Sequence, residues 1–229
     1  MIPLPRKLGV EFIGTFFLMF TVGMATATAG RLAPLAIGSV LMVMVFAGGH
    51  ISGGHYNPAV STAALVRGKL PFGDFAPYVV TQAVGAILAA LLVRALGEGP
   101  AHTLAVAGSG KILIVEFLFT FALAWVVLNV ATARGTEGNS FYGLAIGFIV
   151  AGGAFSVGAV SGGAFNPAVA VGASVLGAFA WSNIWIYLLA NFAGGAAAAI
   201  AFLLTQPVEQ PQRQGRSAQP GDERDLQAA

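Results

Sequence analysis

The sequence predicts an all-α membrane protein with six transmembrane helices and two half-helices arranged as inverted repeats. Three features predict it: long apolar runs without charge, two copies of one sequence pattern, and an Asn-Pro-Ala box in each copy. Of the 229 residues, 57% are hydrophobic and 9% are charged, whereas about a quarter of the residues in an ordinary soluble domain are charged. The predicted surrounding of most of the chain is therefore a lipid bilayer.

Charge-free runs of the length needed to cross hydrocarbon recur along the chain. Three of them, 12–30, 75–93 and 117–133, are each close to the roughly 20 residues of one transmembrane helix. Two longer runs, 32–66 and 138–208, contain Gly and Asn-Pro clusters that should interrupt a helix. The predicted transmembrane helices are about 8–28, 34–52, 74–95, 111–132, 140–159 and 182–205, with half-helices that start near Asn57 and Asn166.

The two halves of the chain repeat one pattern. The segment 11–16, Glu-Phe-Ile-Gly-Thr-Phe, opens the first predicted helix, and 116–121, Glu-Phe-Leu-Phe-Thr-Phe, opens the fourth. The segment 52–60 then matches 161–169 through Ser-Gly-Gly and Asn-Pro-Ala-Val. Because each half contains an odd number of spans, the second copy should cross the membrane inverted relative to the first. Inverted repeats of this kind place their working site near the bilayer midplane.

Lysine and arginine are distributed unevenly between the two sides of this bundle. With both termini in the cytoplasm, eight of the 11 cations lie inside and three, Arg31, Arg94 and Lys111, lie outside, as the positive-inside rule requires. We therefore expect a cytoplasmic N-terminus at 1–7 and a plasma (inner) membrane location. The membrane domain should span 8–205, with repeats at about 8–95 and 111–205. The tail 206–229 has little apolar content and is predicted to be disordered.

Each Asn-Pro-Ala box is predicted to begin a helix. Asparagine is among the best N-cap residues, and proline is favoured at the first helical position. A single box in a soluble protein would indicate only a capped helix, but here both boxes follow Gly-Gly inside apolar runs. Irregular backbone at membrane depth is tolerated where it lines a cavity or is packed in protein. Two half-helices meeting at the midplane would point their positive dipole ends at a pore, repel cations and admit neutral hydrogen-bonding solutes.

The paired boxes resemble the major intrinsic protein family, the aquaporins and aquaglyceroporins, over about residues 6–205. The resemblance implies the aquaporin fold, a homotetramer with one pore per protomer, and passive transport without a cofactor. It also implies that the pore motifs are Asn57, Pro58, Ala59, Asn166, Pro167 and Ala168. Glu11 and Glu116 would brace the two pore loops. A carboxylate in an apolar span normally faces the bundle interior with a partner, although a position near the membrane surface is the alternative for Glu11, which follows Arg6 and Lys7.

The implied selectivity filter lacks the arginine that most water-selective members carry. By distance from the boxes its four positions are Ile37, Ala154, Gly163 and Val169, and Val169 occupies the arginine position. Arginine would supply a fixed charge, several donors and bulk. We therefore expect a wider, apolar filter that passes water with urea, ammonia, hydrogen peroxide or uncharged metalloid species, similar to plant vacuolar and some bacterial members. Glycerol specialisation is disfavoured, because glycerol facilitators usually keep that arginine.

Two histidines flank the first pore loop. A histidine in a membrane interior is most often a packing or loop-bracing residue, but it titrates near neutral pH and could gate a pore. We expect His55 to brace the loop and His50 to be the better candidate for pore lining. Either interpretation makes His50 and His55 candidate site residues.

The remaining patterns weigh against other classes of protein. The chain has no cysteine, and no nucleophile with a base, metal-ligand cluster or complete phosphate-binding loop is recognisable. We therefore predict no catalytic residues, no metal and no enzymatic activity. A net charge of +2 is too small to indicate nucleic acid. The alternative function is a structural membrane protein with the same fold and a closed or poorly conducting pore.

Overall fold

The computed structural model describes residues 2–100, 102–104 and 108–206, and within these ranges the chain is helical. Six long helices and two short ones follow one another without any strand among the described residues. The long helices are α1 (Leu4–Thr28), α2 (Ala33–Ser52), α4 (Phe72–Ala95), α5 (Ser109–Ala131), α6 (Tyr142–Ser161) and α8 (Ile184–Thr205). All six are long and apolar enough to cross a membrane.

The short helices are the predicted half-helices. They are α3 (Pro58–Val66) and α7 (Pro167–Leu176), and each begins at the proline of an Asn-Pro-Ala box. The order of three long helices with one short helix occurs twice, which confirms the predicted fold class. Of the predicted disordered tail 206–229, only Gln206 belongs to the described residues.

Local signals explain where the helix ends depart from the predicted bounds. Helix α1 begins four residues earlier than predicted, because Pro5 in its first turn has the fixed φ that a helix start favours. Helix α6 ends at Ser161, because Gly162 takes a left-handed φ of 87° and so stops the helix. Helix α8 begins at Ile184, since Trp181–Asn183 form a 3-10 turn.

The two repeats pack in the same way and are joined across the molecule. Helix α1 packs against α2 and α4, and α5 packs against α6 and α8 in the second repeat. Helices α2 and α6 form the largest contact between the repeats. Each half-helix packs against a long helix of the other repeat, α3 on α8 and α7 on α4, so neither pore loop is held by its own half alone.

Glycine permits the close approach of α2 and α6. A Cβ atom added to Gly38 would lie 2.5 Å from the carbonyl oxygen of Gly147, and one added to Gly147 would overlap the carbonyl of Gly38. Both helices therefore touch through their backbones at this crossing. Small residues at helix interfaces are the usual means of close packing in a bilayer, where the surrounding lipid is as apolar as the helices.

Charge and apolar surface are separated as a membrane requires. Large apolar side chains such as Phe17, Val80, Phe148 and Ile200 are exposed on the outside of the bundle. In the part of the chain that the structure describes, the buried charged side chains are Glu11, Arg67 and Glu116. Glu11 and Glu116 accept hydrogen bonds from the pore loops described next, and the Arg67 guanidinium lies 5.1 Å from the centre of the Phe202 ring.

Candidate functional site: two opposed loops and a pore cavity

The two loops that precede the half-helices have nearly identical backbones. After each long helix, two glycines and then an aromatic residue take positive φ, and the asparagine is extended. The φ values are 92°, 61° and 49° for Gly53, Gly54 and Tyr56, and 87°, 66° and 47° for Gly162, Gly163 and Phe165. A positive φ in an aromatic residue is uncommon, and its occurrence at both equivalent positions shows that the repeats share this turn.

The two asparagines cap their own helices and also join the opposite loops. Asn57 Oδ1 accepts a hydrogen bond from the Ala59 N–H at 2.8 Å, and Asn166 Oδ1 accepts one from the Ala168 N–H at 2.9 Å. Asn57 Nδ2 donates to the carbonyl oxygen of Phe165, and Asn166 Nδ2 donates to that of Tyr56, both at 2.8 Å. The half-helix tips therefore meet. Each amide nitrogen keeps a second hydrogen for a solute.

Glu11 holds the first loop through both carboxylate oxygens. Oε1 accepts hydrogen bonds from Ser52 Oγ at 2.7 Å and from the His55 N–H at 2.9 Å. Oε2 accepts from the Tyr56 N–H at 2.6 Å and from Gln82 Nε2 at 2.8 Å. The carboxylate is fully buried, so these four donors replace the water that it loses.

Glu116 occupies the equivalent position in the second repeat. Its carboxylate accepts from Ser161 Oγ at 2.7 Å and from the N–H groups of Ala164 and Phe165 at 3.0 and 2.8 Å. The Asn191 amide is assigned with its nitrogen toward Glu116, because the opposite orientation would turn its oxygen toward the carboxylate. It then donates to Glu116 Oε2 at 3.1 Å. Asn191 is thus the counterpart of Gln82.

Polar side chains of α4 and α8 complete the support of the loops, and the sequence motifs did not reveal all of them. The Tyr78 hydroxyl donates to the Ser52 carbonyl at 2.8 Å, and the Tyr187 hydroxyl donates to the Ser161 carbonyl at 2.6 Å. Gln82 also escaped the sequence interpretation, although a fully buried amide in an apolar span is itself a signal of a bonded interior site.

Two cavities border the pore loops, and the smaller of them, which we call the narrow cavity, contains the predicted filter positions. Its volume is about 230 Å³, and its wall includes Ile37, Ala154, Gly163 and Val169 together with Asn57 and Asn166. Most of the other lining side chains are apolar, among them Leu18, Leu123 and Ile146. The polar groups of this wall are few, and they belong mainly to the two loops and their asparagines.

The wider cavity lies on the other side of the asparagine tips and has a different character. Its volume is about 710 Å³, and its wall carries the cations Lys7, Lys69 and Arg134. His55 and Val127 belong to the walls of both cavities. The two cavities are therefore adjacent at these two side chains.

The two histidines lie in different places. His50 is exposed and lines only the wide cavity. His55 lies where the two cavities are adjacent, with its ring 5.3 Å from the ring of Tyr78 and its Nδ1 3.0 Å from Ser61 Oγ. Gln82 Nε2 donates to the same hydroxyl at 3.0 Å, so the hydroxyl hydrogen of Ser61 is free to point at His55 Nδ1. In the described part of the chain, no group of three or more His, Cys, Asp or Glu could hold a metal ion.

Comparison with known proteins places this arrangement in a family. The model of the family described as Major intrinsic protein matches residues 2–202. Relatives include Aquaporin NIP1-1 of Zea mays, 33% identical over 93% of this chain and 79% of that protein, and Nodulin-26 of Glycine max, 35% identical over 92% and 81%. Glycerol uptake facilitator protein-like 6 of Lactiplantibacillus plantarum is 38% identical over 85% and 95%.

The fold itself is also found among solved structures. The aquaglyceroporin from Plasmodium falciparum matches with a TM-score of 0.77 at 22% identity, over 90% of this chain and 99% of that one. The six spanning helices and paired loops define an integral membrane channel. This chain belongs to the major intrinsic protein family, as its two Asn-Pro-Ala boxes predicted.

Proposed function

We propose that this channel passively conducts water and small neutral solutes along a path that runs through both cavities and between the asparagine tips. The observation that carries the proposal is the shared wall at His55 and Val127, beside the two asparagines that keep a free amide hydrogen. Solutes pass this point in single file. Each solute replaces its hydrogen bonds to water with bonds to the asparagine N–H groups and the loop carbonyls. Glu11 and Glu116 act as loop braces in this scheme.

The proposed selectivity filter is the group Ile37, Ala154, Gly163 and Val169. All four line the narrow cavity, and none carries a charge or a side-chain hydrogen-bonding group. In an uncharged apolar filter, no arginine has to lose its water when an apolar or bulky neutral solute passes. Such a filter also offers few donors to replace the water that a polar solute loses. Urea, ammonia, hydrogen peroxide and uncharged metalloid species are the candidate solutes, in addition to water.

Comparison with relatives adds glycerol to the solutes to be tested. The name of the Lactiplantibacillus plantarum relative refers to glycerol uptake, whereas Val169 and the following Ala170 disfavour a channel specialised for glycerol. We further propose a homotetramer in the plasma (inner) membrane, with both termini cytoplasmic. The clustering of Lys7, Lys69 and Arg134 around the wide cavity supports that orientation.

Stopped-flow light scattering of vesicles that contain the purified protein tests the proposal. Water and the panel urea, ammonia, hydrogen peroxide and glycerol are each applied as an osmotic or concentration step, with empty vesicles as the control. We expect water and urea to equilibrate faster in the protein-containing vesicles. Fluxes equal to those of empty vesicles for every solute would favour the alternative, a structural membrane protein with a closed pore.

A further inference from the structure

The outer end of the narrow cavity is built from residues outside the four filter positions. Its wall includes Leu104, Ala178 and Phe179. Leu104 belongs to the segment 102–104 that follows α4, and the other two belong to the turn that follows α7. The side chains at this end are therefore supplied by parts of the chain that the Asn-Pro-Ala motifs do not mark.

Phe179 occupies the space that a side chain at position 162 would fill. A Cβ atom added to Gly162 would overlap the edge of the Phe179 ring and lie 3.5 Å from Leu104 Cδ2. Two apolar side chains thus converge on one backbone position directly before Gly163 of the proposed filter. Gly163 and Ala154 supply little or no side chain to this cavity wall, whereas Phe179 and Leu104 each supply a large apolar one.

The Phe179 ring is held in place from behind. It stacks on Tyr187 with ring centres 4.5 Å apart and an angle of 12° between the planes. The Tyr187 hydroxyl is in turn bonded to the Ser161 carbonyl at 2.6 Å. An aromatic ring fixed at its face and supported by a loop carbonyl has little freedom to move away from a passing solute.

Leu104 is fastened to the same turn. Its N–H donates to the Ala178 carbonyl at 2.8 Å, and the neighbouring Thr103 hydroxyl donates to the Gly177 carbonyl at 2.9 Å. The turn itself is closed by hydrogen bonds from the N–H groups of Ala178 and Phe179 to the Ala173 carbonyl. The segment 103–104 and the turn 177–179 therefore form one unit, which we call the outer collar.

We propose that the outer collar, through Phe179 and Leu104, sets the upper size limit for solutes in this channel, a limit that the four small or aliphatic filter positions leave open. This inference deepens the proposed function and rests on it. The solutes that test the collar are linear polyols, whose molecular volume and number of hydroxyl groups rise together while their charge stays zero. Because the Phe179 and Leu104 side chains carry no donor or acceptor, they exclude the longer polyols by bulk and by the hydroxyl groups that those polyols must desolvate.

The test compares the ratio of erythritol to glycerol flux in vesicles carrying different variants. Phe179→Leu and Leu104→Ala each replace a collar side chain with a smaller one, and the two residues lie in separate segments. If one variant fails to fold, the other still tests the collar. Phe141→Leu and Leu96→Ala make the same chemical changes at exposed positions outside the cavity. We expect both collar variants to raise the ratio several-fold, with water flux close to that of the unsubstituted protein, and both controls to leave the ratio unchanged.

Water flux and the polyol ratio answer different questions. A ratio that stays the same in both collar variants, while water still passes, would overturn the collar and leave the channel intact. An unsubstituted protein that passes neither water nor any solute would instead overturn the proposed function. An increase of the ratio in the control variants to the same extent would also refute the collar, because it would show a general loosening of the bundle.

Discussion

At the scale of single residues, two carboxylates, Glu11 and Glu116, and two asparagines, Asn57 and Asn166, hold the pore loops in place through hydrogen bonds. Each carboxylate is fully buried and accepts hydrogen bonds from two consecutive loop N–H groups. A buried charge with several charge-assisted bonds is tolerated, whereas the same charge without donors would not be. The asparagines use one amide oxygen for their own helix and one amide hydrogen for the opposite loop.

Substitution of Glu116 should destabilise the protein. In Glu116→Leu the N–H groups of Ala164 and Phe165 and the Ser161 hydroxyl lose their acceptor. Each buried neutral donor that is left without its acceptor costs about 1–3 kcal/mol. Thermal unfolding in detergent, followed by tryptophan fluorescence, should show a lower midpoint for Glu116→Leu than for Ile114→Leu, a change at an exposed site two residues away on the same helix. Equal midpoints would argue against a bracing role.

Val169 is the residue whose replacement should most change selectivity. It is buried in the wall of the narrow cavity, and Val169→Arg would add bulk and positive charge there. We expect urea flux to fall by about tenfold, equal to about 1.4 kcal/mol in the barrier, while water still passes. Val169→Leu adds bulk without charge and separates the two effects. Unchanged urea flux in Val169→Arg would show that the constriction lies elsewhere.

At the scale of helices, the closeness of α2 and α6 depends on residues without side chains. Gly147 lies against the carbonyl of Gly38, whereas a Cβ atom at Gly152 of the same helix would meet nothing within 4 Å. The same two helices carry Ile37 and Ala154 of the proposed filter, so their separation also affects the distance between those two positions. Backbone contact therefore connects helix packing to transport.

The pair Gly147→Ala and Gly152→Ala tests this contact within one helix. Overpacking a tight contact typically costs about 1–3 kcal/mol, whereas an alanine in open space gains up to about 1 kcal/mol of helix propensity. We expect a lower thermal midpoint for Gly147→Ala and an equal or higher one for Gly152→Ala. If both variants had the same thermal midpoint, the α2–α6 crossing would not be as close as described.

At the scale of the whole molecule, the inverted repeat brings two positive helix ends to one place. The dipoles of α3 and α7 each place about half an elementary charge at their asparagine tips. At a distance of about 5 Å and an effective dielectric constant near 20, both ends together raise the energy of a monovalent cation by about 3 kcal/mol. A neutral solute of the same size does not experience this barrier.

Urea and guanidinium make a matched pair for this barrier, since they have nearly the same planar shape and differ in charge. We expect vesicles that contain the protein to admit urea and to exclude guanidinium. The measurement is swelling after an equal osmotic step of each solute, with empty vesicles as the reference. Guanidinium entry at the rate of urea would contradict a central electrostatic barrier.

The sequence by itself determined which helices form and where the two half-helices start. Apolar runs defined the six long helices, and Asn57 and Asn166 defined both half-helices, because capping and turn formation depend on residues within a few positions of one another. The repeat around Glu11 and Glu116 marked the carboxylates for the same reason, as a short pattern visible without any fold. His50 and His55 could be named as candidates but not placed.

Tertiary structure decided which distant groups meet. The amide of Asn57 reaches the carbonyl of Phe165, 108 residues away, and Gln82 reaches Glu11, 71 residues away. The rotation of each helix about its axis determines such pairs, and helices that are apolar on every side leave that rotation open in the sequence. The proposed collar of Phe179 and Leu104 is known only from the fold, because it depends on how the segment 103–104 and the turn 177–179 pack against each other.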